Sequence, residues 1–201
     1  MKIGIFGGTF DPIHQGHLIM ASIIYDEMGF DKIVFIPSGN PPHKTNKKIT
    51  DEKIRSEMVR KAIESDDRFE LSMIEQGKEN LKYTYHTMTE IMENKPENEY
   101  YFIIGGDSLR NIETWYEYKR LLKEVKFVVV DRVSKERDDI LDLVKRYQKI
   151  SKEIKYIDMP LIEISSTDIR NRVKSKKSID YMLPDEVIEI IYDKGLYDES
   201  N

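Results

Sequence analysis

The chain has 201 residues and a formal net charge of −5, so it is long enough for one domain with a real core and carries no overall field that would draw nucleic acid. At 39% hydrophobic and 34% charged residues it reads as an ordinary globular chain rather than a disordered one, and without cysteine it excludes disulfide, thiolate-zinc and thiol chemistry and suits a reducing compartment. No apolar run reaches membrane-spanning length, and the opening run is broken by Gly4 and by Gly7 and Gly8 before it resembles a secretory leader, so the expectation is a cytoplasmic protein that binds neither membrane nor nucleic acid.

The first predicted strand, 2–6, runs directly into GIFGGTFDPIHQGHL. Gly7 and Gly8 permit a tight turn and a close approach of a ligand to the backbone. A helix beginning near 14–16 aims its first N–H groups into the same space, which makes an anion site. His14 and His17, at i and i+3, face it together, and Gly16 leaves room for a flat group against the helix. A His-x-x-His pair with no neighbouring Glu, in a chain without cysteine, is a poor zinc site; the bland alternative is that both imidazoles only fill the turn.

The second strand, 32–36, leads into the polar loop 37–48, PSGNPPHKTNKK, where paired prolines stiffen the chain around Asn40, His43 and Lys44. Lys44 is there to meet a charged group or simply to face solvent. Ile54, Met58, Ala62 and Ile63 mark a helix face, and strand 69–73 follows. Strand 100–104 then runs into FIIGGDSL, with Gly105, Gly106 and Asp107 at its end. A carboxylate there either accepts from ribose hydroxyls or caps the short helix after it. ETWYEYKRLL supplies Trp115, as a platform for a flat ring or as a core residue.

Strand 126–130, a helix face at Ile140, Leu141, Val144 and Tyr147, and strand 155–158 precede ISSTDIRNR. Ser165, Ser166 and Thr167 open a helix there, and Arg170 lies one turn on with a guanidinium suited to phosphate oxygens. Plain capping by Ser165 or Ser166 with Asp168 is the alternative. A last helix is predicted over 185–194, between Pro184 and Gly195.

Strands alternating with helices predict an α/β fold, a doubly wound parallel sheet with helices on both faces. The whole of 1–201 is expected to form one domain, with a small helical region at about 165–201. Such sheets take ligands beyond the C-terminal ends of their strands, where these motifs fall. The pattern of a P-loop is absent, and GIFGGTF does not spell the G-x-G-x-x-G of a hydride-transfer dinucleotide fold. Two phosphate cradles, a ribose acceptor and a ring platform together suit a protein that brings two phosphate-bearing molecules into contact.

GGTFDPIHQGHL resembles the first motif of the nucleotidyltransferase superfamily with the [HT]-x-G-H signature, and ISSTDIR resembles its second. PSGNPPHK, YTYHTM, FIIGGDSLRNIETWYEY and YMLPDEVIEIIYDKGLY narrow the resemblance to the bacterial nicotinate-mononucleotide adenylyltransferases, across nearly the whole chain. The resemblance implies a Rossmann-like fold and the reaction of ATP with nicotinic acid mononucleotide to give deamido-NAD and pyrophosphate, with Mg²⁺ carried by ATP and no protein ligand to it.

The resemblance further implies His14, His17 and Arg170 as catalytic, with Ser166 and Thr167 beside Arg170 on the β,γ-phosphates. Gly8, Thr9 and Phe10 would contact the nucleotide, and Gly105, Gly106 and Asp107 the ATP ribose. Asn40 and Lys44 would serve the mononucleotide phosphate, and Thr84, Trp115, Tyr116 and Arg132 the nicotinate end. Two segments depart from the family pattern. Lys82 and His86 stand where Ser and Asp are usual, and Val133, Ser134 and Lys135 follow Arg132 in place of Pro-Gly-Tyr. The rivals are a same-superfamily enzyme with a nicotinamide mononucleotide or phosphopantetheine acceptor, a non-catalytic nucleotide sensor, and a metal-dependent phosphohydrolase. A homodimer stays open.

Overall fold

The computed structural model describes residues 1–39, 49–77, 83–132 and 137–198, the side chains of 132 and 137 excepted. Strand β1 (Lys2–Gly8) is followed by α1 (Gln15–Met28), β2 (Lys32–Pro37), α2 (Glu52–Ile63) and β3 (Phe69–Leu71). Then come α3 (Thr84–Asn94), β4 (Glu99–Gly105), α4 (Gly106–Arg110), α5 (Tyr118–Glu124) and β5 (Lys126–Arg132). Helix α6 (Arg137–Gln148), β6 (Glu153–Met159), α7 (Ser166–Lys174) and α8 (Asp185–Asp193) follow, and a 3-10 turn over Ile112–Thr114 lies between α4 and α5.

All strand pairs are parallel, in the order β3-β2-β1-β4-β5-β6. The chain winds one way from β1 to β3 and the other way from β4 to β6, which is the doubly wound α/β arrangement expected. Each central strand feeds two cores because its residues alternate between faces. Phe127 and Val129 of β5 enter one cluster with Tyr85, Met88, Leu121 and Ile140, while Val128 and Val130 enter the other with Ile24, Met58, Ile169 and Ile191. Burial on both faces is why these strands read as unbroken apolar runs.

Gly4 is required by packing: a Cβ there would lie 2.7 Å from the Phe30 ring. Gly29, at φ 57°, ends α1 in the left-handed region, where its N–H reaches the Asp26 carbonyl. No helix among the described residues is long and apolar enough to cross a membrane.

Candidate active site at the sheet switch point

The crevice opens where β1 and β4, neighbours in the sheet, end at Gly8 and Gly105. Between Gly8 and the start of α1 the chain makes a loop whose carbonyls are gripped from elsewhere in the fold. Arg170 Nη1 donates to the Asp11 carbonyl at 2.6 Å, and Ser166 Oγ donates to the Pro12 carbonyl at 2.8 Å. The two motifs, about 160 residues apart, are therefore one structure. Ser165 caps α7, its hydroxyl accepting from Asp168 N–H at 3.1 Å. The capping alternative therefore forms at Ser165, while Ser166 ties α7 to the Pro12 carbonyl. Thr167 Oγ1 accepts from Arg170 Nη2 at 3.2 Å, which steadies the guanidinium and leaves other N–H donors of its fork for a ligand.

His14 and His17 stack, with ring centroids 3.7 Å apart. The His14 backbone N–H donates to His17 Nδ1 at 3.2 Å. Nδ1 being an acceptor, neutral His17 carries its proton on Nε2, which is left to donate outward. Burial, reinforced by the charge of neighbouring His14, holds the His17 pKa well below the usual histidine value. The flat group against Gly16 is the His14 ring itself: a Cβ at Gly16 would lie 3.0 Å from His14 Nδ1. The space expected there for a ligand is filled by the protein.

This histidine sets a pH dependence. Because the folded chain resists protonating His17, the unfolded chain binds the extra proton as pH falls below the ordinary value of about 6.5. Folding stability from this group is present above that pH and is lost as pH falls toward the lowered value. His17→Asn keeps an acceptor for His14 N–H but does not titrate, so its unfolding free energy is expected to depend less steeply on pH between about 5 and 6.5. Parallel urea unfolding of both proteins checks this; equal slopes would contradict it.

Phe10 corrects the expectation of a side-chain contact to nucleotide. Its ring is 2% exposed and packs on Phe6, Phe35 and the edge of His17, so only its backbone is left for a ligand. At Gly8 a Cβ would lie 2.8 Å from that ring. The Thr9 carbonyl is occupied by Arg55 Nη1 at 2.7 Å. Gly106 backs onto Asp131, and Asp107 is 94% exposed in α4, paired with Arg110 at 2.7 Å. Gly105, not Asp107, occupies the cap position of α4, so the capping alternative for Asp107 is not what forms.

A cleft of about 260 Å³ beside the switch point is lined by Gly7, Gly8 and Gly105 from the strand ends, and by Ser38, Glu75, Thr84, Thr87 and Trp115. It brings together Gly8 and Gly105, read for the ATP side, with Thr84 and Trp115, read for the acceptor side. Trp115 is partly buried, edge-on to Phe102 at 6.3 Å, so it serves core and cleft together. Thr84 is the first residue of α3, whose leading N–H groups lack helical partners. Tyr116 does not line this cleft; its ring stacks on Tyr83 at 4.7 Å and tilts onto His86 at 5.2 Å, an aromatic group built where the family pattern has an Asp. Asn40, Lys44, Lys82 and Val133 to Lys135 lie outside the described residues, as does the Arg132 side chain.

Four residues around the site carry no role in the sequence reading. Glu75 accepts from Thr87 Oγ1 at 2.7 Å and from Gly39 N–H at 3.3 Å, and burial pushes its pKa up. Arg55, fully buried, donates to the carbonyls of Thr9, Thr50 and Gly39 at 2.7, 2.9 and 3.4 Å. Burial lowers its pKa, and the charge of Asp11 opposes that. Asp11, 6% exposed, accepts from Tyr197 and from Thr50 N–H. Asp11 and Tyr197 sat inside quoted motifs without a task. Arg55 looked like one charge on an amphipathic helix, and Glu75 had no signal.

Comparison with known proteins agrees with this architecture. Residues 5–172 match the cytidylyltransferase-like family. The chain is 41% identical over 197 residues to a probable nicotinate-nucleotide adenylyltransferase of Desulfitobacterium hafniense, covering 98% of this chain and 95% of that one. It is 39% identical to the nicotinate-nucleotide adenylyltransferase of Bacillus subtilis, covering 98% of each. The nicotinic acid mononucleotide adenylyltransferase of Plasmodium falciparum, solved in complex with NaAD, shares the fold at a TM-score of 0.80 and 23% identity, over 98% of this chain and 97% of that one. The chain belongs to the cytidylyltransferase-like family and, within it, to the nicotinate-nucleotide adenylyltransferases.

Proposed function

We propose that the protein transfers the adenylyl group of ATP to nicotinic acid mononucleotide, forming deamido-NAD and releasing pyrophosphate. The observation that carries this reading is the joint made by Arg170 and Ser166 with the Asp11 and Pro12 carbonyls, beside the stacked histidines and next to a ring-sized cleft. The names of relatives near 40% identity supply the acceptor.

In this scheme a phosphate oxygen of the mononucleotide attacks the α-phosphorus of ATP. The bond from that phosphorus to the bridging oxygen breaks, and pyrophosphate leaves with the electron pair. No side-chain nucleophile is needed, so alignment and charge neutralisation supply the catalysis. His17 Nε2–H and His14 serve the α- and bridging oxygens; Arg170, Ser166 and Thr167 hold the β,γ-phosphates. Gly8 and Thr9 approach the nucleotide through backbone, and Gly105, Gly106 and Asp107 meet its ribose. Mg²⁺ arrives as part of the MgATP substrate and neutralises the phosphates. The nearest loop carboxylate, Asp11, spends its oxygens on Tyr197 and Thr50, which does not suit it as a metal ligand. Thr84, Trp115 and Tyr116 serve the nicotinate end; the family resemblance assigns Arg132 there as well, and Asn40 and Lys44 to the mononucleotide phosphate. A cytoplasmic location completes the reading.

Pyrophosphate release from ATP, measured with nicotinic acid mononucleotide and with phosphopantetheine, tests it. Release only with the former supports it. Release with the latter points to the same-superfamily rival, and ATP binding without turnover to the sensor. Arg170→Lys keeps the charge but loses the planar fork. A raised KM for ATP in a folded protein is expected, read from initial rates across ATP concentrations; unchanged KM and kcat would reduce Arg170 to a structural tie.

A further inference from the structure

The loop that joins the two motifs is also held from the end of the chain. The Tyr197 hydroxyl donates to Asp11 Oδ1 at 2.7 Å, across 186 positions of sequence. Asp11 Oδ2 accepts from Thr50 N–H at 3.4 Å, and the carbonyl of the same residue is the one that Arg170 grips. One residue thus receives the tail through its side chain and the phosphate-site arginine through its backbone.

The tail is built to deliver that hydroxyl. Helix α8 ends in a chain of bonds, Lys194 N–H to the Ile190 carbonyl, Gly195 N–H to Tyr192 and Leu196 N–H to Ile191. Val187 and Ile191 anchor α8 in the core, and Lys194 pairs with Glu57 of α2 at 3.5 Å. Tyr197 itself sits at φ 65°, a left-handed conformation that side chains disfavour and that persists where the surroundings over-determine it. Burial and the Asp11 charge push its phenol pKa far above the usual value, so it remains a donor.

We propose that Tyr197 is a positioning residue for adenylyl transfer: by fixing the Asp11 carboxylate it sets the Asp11 carbonyl, and through it Arg170, in the geometry that receives the triphosphate. This rests on the assignment of Arg170 to the ATP phosphates made above. Loss of the hydroxyl leaves the Asp11 carboxylate held by Thr50 N–H alone, lets the loop shift, and leaves Arg170 gripping a displaced carbonyl. The acceptor cleft, lined by Thr84 and Trp115, does not include this contact.

Tyr197→Phe removes one oxygen and keeps the ring. It is expected to raise KM for ATP about five- to tenfold, less than the roughly ten- to hundredfold of a charged bond made to the ligand itself, because the contact acts through the loop. KM for nicotinic acid mononucleotide is expected to change little, and the melting temperature to fall by a few degrees as the buried Asp11 carboxylate loses a donor. The double variant with Arg170→Lys is expected to show less than the product of the two single effects, since both act through one carbonyl. A Tyr197→Phe protein that melts earlier but keeps its KM for ATP would mark a purely structural bond and overturn the proposal. So would multiplicative effects in the double variant. If Arg170→Lys alone leaves KM for ATP unmoved, the phosphate assignment fails first; if it raises KM and Tyr197→Phe does not, only the role of Tyr197 fails.

Discussion

Replacing His17 by Ala is expected to lower kcat about a hundredfold or more while the protein stays folded, the cost typical of removing a donor aimed at developing charge. In the ground state the bridging oxygen of ATP shares its charge; as pyrophosphate leaves, the charge concentrates there. His17 is pre-set for that moment. Its Nδ1 is engaged by the His14 N–H, its ring is stacked on His14, and its remaining proton is on Nε2. Burial and the neighbouring imidazole keep it neutral before ATP arrives, so the incoming polyanion strengthens its hold on the proton. The Ala variant also leaves the His14 N–H without its acceptor at the start of α1, a cost of about 1 kcal/mol in helix capping. His17→Asn restores that acceptor, but its shorter amide puts no donor where Nε2–H stands, so it separates stability from catalysis. The expected result is a normal melting curve with kcat still reduced, measured at saturating MgATP. Near-normal turnover in either variant would remove His17 from the phosphate site.

The scaffold was legible because its forces are local. FVVV in β5 and YFII in β4 are apolar at every position because each strand is buried on both faces, and the motif glycines fall at the ends of these strands. The helix starting beside His14 was legible from spacing, and the cap on α7 from its serines. Contacts spanning the chain were not. Nothing in the spacing of ISSTDIR says that Arg170 reaches the Asp11 carbonyl, or in DKGLY that Tyr197 reaches the Asp11 carboxylate. Arg55 shows why charge patterns mislead: the helix face predicted on Ile54, Met58, Ala62 and Ile63 does pack on the core, but Arg55, Ser56 and Val59 are buried with it. A guanidinium satisfied by three carbonyls is invisible when those carbonyls belong to distant loops. The room read at Gly16 is filled by the His14 ring, and the Phe10 side chain belongs to the core, which leaves its backbone for a ligand.

The acceptor cleft bears on the choice between acid and amide. Nicotinate and nicotinamide mononucleotides have nearly the same shape and differ in one group, a carboxylate against a neutral amide. At the cleft, Thr84 begins α3, so the first N–H groups of that helix and the Thr84 hydroxyl are donors at the positive end of a helix dipole. Donors of that kind favour an anion with two acceptor oxygens, whereas an amide can offer its carbonyl to one donor but sets its NH2 in the second position. Glu75 lines the same cleft and, as a carboxylate, would oppose an anionic ring substituent. Both its oxygens are taken, by Thr87 and by Gly39, and burial shifts it toward its neutral form, so its opposition is weakened. Trp115 holds the ring position without distinguishing the two. A site whose buried donors lose a charged partner discriminates strongly. The acid mononucleotide is therefore expected to be favoured in kcat/KM by about a hundredfold, close to 3 kcal/mol. Initial rates with both acceptors at one MgATP concentration measure the ratio. Equal values would overturn the acid preference and leave a general pyridine-nucleotide adenylyltransferase, with the donors at α3 serving some other part of the substrate.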